Sequence, residues 1–350
     1  MKNKIAIASA FLAASSFSTA EIVINDFLSF EGFVDMSYTH TDQDVDNTPL
    51  SSGSGNSYAL DQVEISWLFD FDPVTAQIDV QHLDGQGTSI GGGSTIEQAF
   101  ATYHLDNGSA FTAGRFDSML GFEAFEPTGL YQYSLAYLAP EDLAVNPFGL
   151  FGTGILPGQD QGIKYTVESD TTFFGISLVD AVNGGRLGGN GVSDFGIEVA
   201  GAIDFENGLA WFAGARFNDG DETAIAGYDD LYILNTYVTF ETGAWVFAGE
   251  LVYGEQDFGA VNPNDLETFQ ALLMANFAYS DAASVTGRLS YAEAEQGAAD
   301  EDFVKYTLAH GYAFTDNLFL VNEISFVDGE DAAGNDVEIL TAAAELIFSF

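Results

Sequence analysis

The feature that most constrains the fold of this chain is a two-residue alternation of apolar and polar side chains, which recurs in sixteen segments. In one of them, Ile65 and Trp67 lie on the opposite face from Ser66. The segments mostly run about 8–13 residues, close to the length that a tilted strand needs to cross a bilayer. Because an unpaired strand edge is costly in hydrocarbon, such strands must close into a ring. The sequence therefore predicts an all-β fold, a transmembrane antiparallel up-and-down β-barrel of about 16 strands.

The connections between these segments support a membrane barrel over a soluble sandwich. Seven short turns alternate with eight longer loops, a sorting into two ends that a sandwich does not require. Aromatic residues also concentrate where strands meet turns, which indicates an interfacial girdle instead of a soluble aromatic core. The predicted girdle comprises Phe69, Phe71, Phe205, Phe240, Trp245, Tyr279 and Phe314.

The N-terminus has the features of a secretory signal peptide over residues 1–20. Lys2 and Lys4 precede an apolar run that is too short for a spanning helix, and small residues precede Glu21. Residues 21–350 then form the mature barrel domain. Residues 1–20 hold two of the eight basic residues and none of the 53 acidic ones, so the formal charge changes from −45 to −47. Nucleic acid is excluded as a partner because no basic patch is available, and the absence of cysteine excludes a disulfide scaffold.

The longest interval without clean alternation lies between Gly114 and Gly162, and we predict a constriction loop at 117–161, after the fifth strand. Loops beyond about 12–15 residues are usually functional or disordered, and a segment rich in Phe, Tyr and Leu does not favour disorder. We predict that the loop folds into the barrel and narrows its lumen. The predicted constriction residues are Arg115, Glu123 and Glu126. The alternative is that Arg115 only anchors the loop to the wall by pairing with one of these acids.

The polar positions of the strands define a predicted set of lumen charges with a negative balance. Charged rings in a confined pore select ions by sign, so this balance predicts a mild preference for cations. The alternative is that the acids of the chain mainly solvate external loops in a salty medium. The lumen set comprises Glu31, Asp35, Glu64, Asp70, Asp79, Lys164, Glu198, Asp204, Arg216, Glu250, Arg288, Lys305, Glu323 and Glu345.

The sequence contains no signature of an enzyme, a cofactor site or a metal site. There is no cysteine nucleophile, the four histidines are scattered, and no hydrolase, zinc or phosphate-loop motif occurs. Asp42, Asp44 and Asp46 are spaced like the start of a calcium loop, but Asn47 and Gly53 replace the required Gly and Glu. We therefore predict no catalytic residues, no cofactor and no metal.

The C-terminus indicates where the barrel is inserted. Leu346, Phe348 and Phe350 follow each other at two-residue spacing. They resemble the C-terminal signature of outer-membrane barrels that the barrel assembly machinery reads. Together with the signal peptide and the even strand number, this predicts the outer membrane of a diderm bacterium, with membrane lipid and the assembly machinery as partners.

Several short motifs connect the chain to one family. They are Ile96-Glu97-Gln98-Ala99, Gly114-Arg115-Phe116, Gly121-Phe122-Glu123, Glu126-Pro127 and Asn183-Gly184. In these the chain resembles the OmpL-like β-barrel porins. The resemblance implies a water-filled channel for passive diffusion of small hydrophilic solutes and ions, a loop in the lumen, and assembly as a homotrimer. One departure is that general porins set an arginine cluster against acidic loop residues, whereas this chain has few arginines.

Two other functions stay open at this point. The first is a substrate-specific channel in which Tyr131, Tyr133 and Tyr137 form an aromatic slide for sugars. The second is a structural or adhesive barrel whose lumen is plugged and whose loops bind partners. Solute-dependent current block distinguishes the first from a general porin, and an absence of conductance favours the second.

Overall fold

The computed structural model of the chain describes residues 21–47, 52–83, 93–123, 125–138, 146–150, 155–180, 195–219, 230–258 and 262–350. The predicted signal peptide, the Asn183-Gly184 motif and Arg186, one of the four arginines of the chain, lie outside these ranges. The strands are β1 Ile22–Asn25, β2 Leu28–Val45, β3 Gly53–Phe71, β4 Val74–Leu83, β5 Gly93–His104, β6 Ser109–Asp117, β7 Gln159–Glu168, β8 Thr172–Asp180, β9 Phe195–Asp204, β10 Leu209–Asp219, β11 Leu231–Thr242, β12 Trp245–Phe258, β13 Asn262–Ser280, β14 Ala283–Gln296, β15 Ala299–Thr315, β16 Leu318–Glu330 and β17 Asp336–Ser349.

The strands from β2 to β17 pair antiparallel in chain order and close into one ring. The closing seam joins β17 to β2, from Val337 opposite Val45 to Ser349 opposite Phe33. At its end Phe350 exchanges two main-chain hydrogen bonds with Gly32, of 2.8 and 2.9 Å. The predicted sixteen-strand barrel is thus confirmed. The alternation did not predict the short strand β1. It pairs with residues 28–30 of β2, beyond the point where the β17–β2 ladder ends at Phe33.

The two faces of the barrel wall differ sharply in polarity. Large apolar side chains stand exposed around the outside, among them Leu234, Leu273, Leu308 and Ile324, each more than half exposed. An apolar belt of this extent is characteristic of a lipid-facing surface. At the end with the short turns, Trp245 stacks on Phe277 with ring centroids 4.5 Å apart. The opposite face carries polar and charged side chains that are mostly buried inside the ring.

Several strands are longer than the alternation predicted. Against the predicted length of about 8–13 residues, β2 has 18 residues and continues to Val45, and β3 has 19 residues and begins at Gly53. Asp42 and Asp44 lie on the exposed face of β2, in a strand and not in a calcium loop. The physical reason is that strand pairing continues beyond the bilayer. There both faces of a strand meet water, so the backbone hydrogen bonds continue although the apolar–polar alternation ends.

Helical structure is nearly absent from the described residues. It amounts to one 3-10 turn at Pro127–Gly129. In that part of the chain no helix has the length and apolarity to cross a membrane.

Candidate functional site

The segment that connects β6 to β7 is here called the inner loop, and its described residues, 118–123, 125–138, 146–150 and 155–158, lie against the inner wall of the barrel. Leu120, Phe122 and Tyr137 pack into an apolar cluster with wall residues of β9 to β13. In this cluster Phe122 meets Tyr237 edge-on, with centroids 5.7 Å apart. One side of the barrel interior is therefore a packed core made by wall and loop together.

Glycines on the inner wall make room for the inner loop. A Cβ on Gly214 would collide with the side chain of Leu120, and one on Gly254 would collide with Ile155. Further along the loop, Phe148 is fully buried and packs on Phe303 at 5.1 Å between centroids. The wall is thus shaped to receive the loop at several separate points.

Three wall carboxylates bind the inner loop by accepting its hydrogen bonds. Glu198 accepts the backbone N–H of Met119 at 2.6 Å and the hydroxyl of Ser118 at 2.6 Å. Glu250 accepts the N–H of Phe122 at 2.8 Å and the hydroxyl of Tyr137 at 3.0 Å. A third contact of this type is made by Glu323, which accepts the N–H and hydroxyl of Ser134 at 3.0 and 2.6 Å.

Basic residues of the wall also bind the inner loop. Arg288 forms an ion pair with Glu123 and donates to the carbonyl of Ser134 at 2.7 Å. Lys305 is fully buried and donates to two further loop carbonyls, those of Leu135 at 2.8 Å and Leu138 at 3.3 Å.

Two more bases act where the inner loop leaves and rejoins the wall. Arg216 makes a two-pronged ion pair with Asp160, at the start of β7. Lys164 donates to the carbonyl of Asp117 at 3.3 Å and lies 4.4 Å from the ring centroid of Phe116. Four of the five basic residues that the structure describes in the mature chain therefore hold the loop or its ends.

The acids on β2 to β5 are different, because none of them has a basic partner. Asp35, Glu64, Asp79 and Glu97 are all at least nine-tenths buried on the inner wall. Within the described part of the chain they form no ion pair within 4 Å, and neither does the loop residue Glu126. Their described hydrogen-bond donors are neutral amides and hydroxyls, such as the amide of Gln62, which donates to Glu126 at 2.8 Å. We call this stretch of inner surface the acidic wall.

Two inward acids escaped the sequence prediction because each sits at a β-bulge. The register of β4 and β5 shifts between Asp79 and Val80, leaving Glu97 as the extra residue. The register of β2 and β3 shifts in the same way and leaves Asp61 unmatched. A bulge puts two successive residues against one partner and re-aims a side chain, so a strict two-residue count assigns later residues to the wrong face.

The predicted site residues are only partly brought together. Glu123 and Glu126 both lie in the inner loop, but they contact different parts of the wall, Arg288 and Gln62 respectively. Arg115 is not with them, because its cross-strand neighbours are Ala99 and Gln161, on the row that carries exposed Ile163. No ion pair involves Arg115 among the described residues.

The remaining predicted lumen acids differ in burial. Glu345 is buried on the inner wall of β17 beside Asp35. Asp70 and Asp204 are exposed near the ends of β3 and β9, at the short-turn end of the barrel, so they are not enclosed in the ring. Glu31 is half-buried on β2.

The three tyrosines proposed as a sugar slide do not form a continuous surface. Tyr137 is 7% exposed and its hydroxyl is bound to Glu250. Tyr131 packs against the apolar cluster, whereas the hydroxyl of Tyr133 lies 3.3 Å from Ser37. These rings anchor the inner loop, which leaves the aromatic slide without support in the described residues.

The electrostatics of the acidic wall are set by burial and by like charges. Burial, followed by the neighbouring carboxylates of Glu64 and Glu97 and then Asp117, holds the pKa of Glu126 well above its ordinary value of 4.5. Glu64, Glu97 and Glu126 form the centre of this crowded region, with one carboxylate oxygen of each within 4.8 Å of the others.

Comparison with known proteins decides the family. The family model described as "Putative beta-barrel porin-2, OmpL-like" matches residues 28–350, which is nearly the whole mature chain. The chain belongs to this porin family. Its place is therefore the bacterial outer membrane, as predicted. A search of curated protein sequences returned no match.

Solved structures with the same fold are also outer-membrane proteins. OmpT of Vibrio cholerae is 13% identical, with 95% of this chain and 100% of that chain covered and a TM-score of 0.64. The outer-membrane channel DcaP of Acinetobacter baumannii is 13% identical, with coverages of 92% and 97% and a TM-score of 0.65. An anion-selective porin from Comamonas acidovorans is 14% identical, with coverages of 92% and 99% and a TM-score of 0.64. At these identities the likeness shows the fold alone.

Proposed function

We propose that this porin is a passive diffusion channel for small hydrophilic solutes and ions, with a preference for cations. One observation carries the proposal: the basic side chains of the inner wall are engaged by the inner loop and its ends, whereas the acidic wall has no basic partner. A pore lined by β2 to β5 and by Glu126, which contacts that wall through Gln62, then meets negative charge that no neighbouring base offsets. Low-dielectric walls focus such a field and favour cations.

The preference is tested by reversal potentials in planar bilayers under a KCl gradient. The wild type is expected to give the sign of a cation-selective pore. The variant E64Q/E97Q/E126Q is expected to move the potential toward zero, because three fixed charges beside the pore become neutral amides of the same shape. The matched control E293Q/E295Q/D300Q removes three acids from the tip of the β14–β15 hairpin and is expected to shift it much less. Anion preference in the wild type would reject the proposal.

The cation preference is expected to weaken on acidification. Glu126 faces Glu64 and Glu97 on the wall and Asp117 at the end of β6, and its pKa is raised well above 4.5. Because a raised pKa means protonation at higher pH, Glu126 loses its charge nearer to neutrality than a free glutamate does. Reversal potentials recorded over a descending pH series should therefore fall before pH 4.5 is reached. An unchanged potential down to that pH would contradict this expectation.

We further propose that Phe350, with Phe348 and Leu346, acts as the signal read by the barrel assembly machinery. These three residues lie on the outward row of β17, where Phe350 and Phe348 contact each other with centroids 5.9 Å apart. Phe350→Ala should strongly lower the amount of barrel inserted in cells but leave refolding in detergent nearly intact, since the β17–β2 ladder is retained. Phe314→Ala, another outward aromatic at a strand end, is the control. Equal insertion of both variants would argue against the signal.

We propose assembly as a homotrimer, as the family resemblance implied. Support comes from OmpT of Vibrio cholerae, for which a trimer form is solved that matches this chain with a TM-score of 0.60 at 12% identity. Sedimentation equilibrium of the refolded protein in density-matched detergent measures the mass directly. A monomeric mass across the accessible concentration range would contradict the proposal.

A further inference from the structure

The acidic wall and the inner loop together form a cluster of carboxylates that a diffusion channel does not require. Glu64 on β3, Glu97 on β5 and Glu126 in the inner loop come from three separate parts of the chain. One carboxylate oxygen from each lies within 4.8 Å of the others. Bringing three like charges so close inside a protein is unfavourable unless a metal ion lies between them or protons neutralise them.

Geometry favours a calcium ion over a smaller one. Carboxylate oxygens bind Ca²⁺ at about 2.3–2.6 Å, so two of them on one ion lie within about 5 Å of each other. The separations in the cluster meet that limit. Mg²⁺ requires near-octahedral geometry at about 2.0–2.1 Å, which three carboxylates from two strands and a loop are poorly placed to provide.

A second, independent observation points to a ligand in this place. Glu97 is 7% exposed, and its Oε2 atom is buried with no hydrogen-bond partner in the described structure, whereas its Oε1 accepts from Gln159 at 3.1 Å. The bulge in β5 is what turns this side chain inward toward Glu64. An inward-turned carboxylate oxygen without an N–H or hydroxyl donor is costly to bury, unless a cation binds it or a neighbouring carboxyl shares a proton with it, and calcium binding distinguishes the two.

We propose that Glu64, Glu97 and Glu126 bind one calcium ion that joins the inner loop to the acidic wall. The amide of Gln62 lies between Glu64 and Glu126, at 3.2 and 2.8 Å. Rotation of this amide by half a turn brings its carbonyl oxygen to the same place as a fourth ligand, and water completes the shell. Elsewhere the inner loop is held to the wall by the positive charges of Arg288 and Lys305, which donate to its carbonyls. The calcium ion would supply the positive charge that holds the loop to the acidic wall.

The inference goes beyond the proposed channel, because it concerns a resident ion and not the ions that pass. The test is calcium binding by the full mature chain, refolded in detergent, freed of metal by chelation and titrated with Ca²⁺ near neutral pH by calorimetry. The expected result is one site per chain in the wild type. E97Q should weaken binding by about tenfold or more, and E64Q/E97Q/E126Q should abolish it. Titration with Mg²⁺ should give much weaker binding.

The control variant E293Q/E295Q/D300Q loses the same number of acids from the exposed hairpin cluster and is expected to keep the site. Each variant is first shown to be folded by its β-type circular dichroism and its heat-dependent mobility on gels. Absence of saturable Ca²⁺ binding in the folded wild type, or equal binding by the folded triple variant, overturns the proposal and indicates that the acids share protons instead. Bilayer recordings in the presence of a chelator test the proposed channel separately. Cation preference measured without calcium supports the proposed function, and the calcium site is then decided by the binding data alone.

Discussion

Deleting residues 119–157 and joining Ser118 to Gly158 through a short glycine linker is expected to raise single-channel conductance severalfold. The linker is feasible because Ser118 already donates a 3.0 Å main-chain hydrogen bond to Gly158. The deletion removes the aromatic and apolar side chains that fill one side of the barrel, while every strand pairing is retained. Wider water-filled cross-sections conduct more, and charge selectivity should decline as the walls separate.

The matched control for this deletion replaces the β16–β17 connection at 331–335, which lies at the rim, with glycines. That change is expected to leave conductance near the wild-type level. No rise in conductance would remove the inner loop from the conducting path. If the wild type conducts nothing and only the deletion variant conducts, the barrel is plugged, and the structural or adhesive function is favoured.

Replacing Arg288 by Met is expected to destabilise the folded protein by about 3–5 kcal/mol, because it leaves the Glu123 carboxylate without its basic partner inside the barrel. The Arg288 side chain is fully buried and that of Glu123 is 11% exposed, so water compensates little. The variant also loses the hydrogen bonds that Arg288 donates to Ser134 and Thr307. The free energy of unfolding is measured by denaturant titration in micelles, followed by tryptophan fluorescence.

A double-variant cycle separates the ion pair from general packing. R288M/E123Q should be more stable than R288M alone, because the second change removes the uncompensated charge. Arg115→Met, which removes a cation with no described ion pair, is the control and should cost much less. Equal stability of R288M and the wild type, or additive losses in the double variant, would contradict the assigned contact.

The acidic wall shows most clearly where prediction from sequence stops. Alternation identified Glu64 and Asp79 as inward residues, and both are buried on the inner wall. It missed Glu97, because one bulged residue in β5 is indistinguishable in sequence from the next step of the rhythm. It also placed Arg115 in the constriction by its proximity to the loop, whereas the register sets it on the outward row with Ala99. The constriction itself, like the cation preference, stays a prediction until currents are recorded.

The sequence by itself determined the barrel, the number of its strands and its membrane-facing surface. These features can be predicted because successive side chains of a strand face lipid and the barrel interior in turn, so apolar and polar residues alternate along the sequence. Which inner charges are engaged was decided only by tertiary structure. In sequence, Glu250 and Arg288 look like ordinary lumen charges. In the structure Glu250 accepts a hydrogen bond from the backbone of Phe122 and Arg288 forms an ion pair with Glu123, and each partner lies more than a hundred positions away in the chain. Such pairings depend on where a long loop settles inside a closed ring, and no local pattern encodes that position.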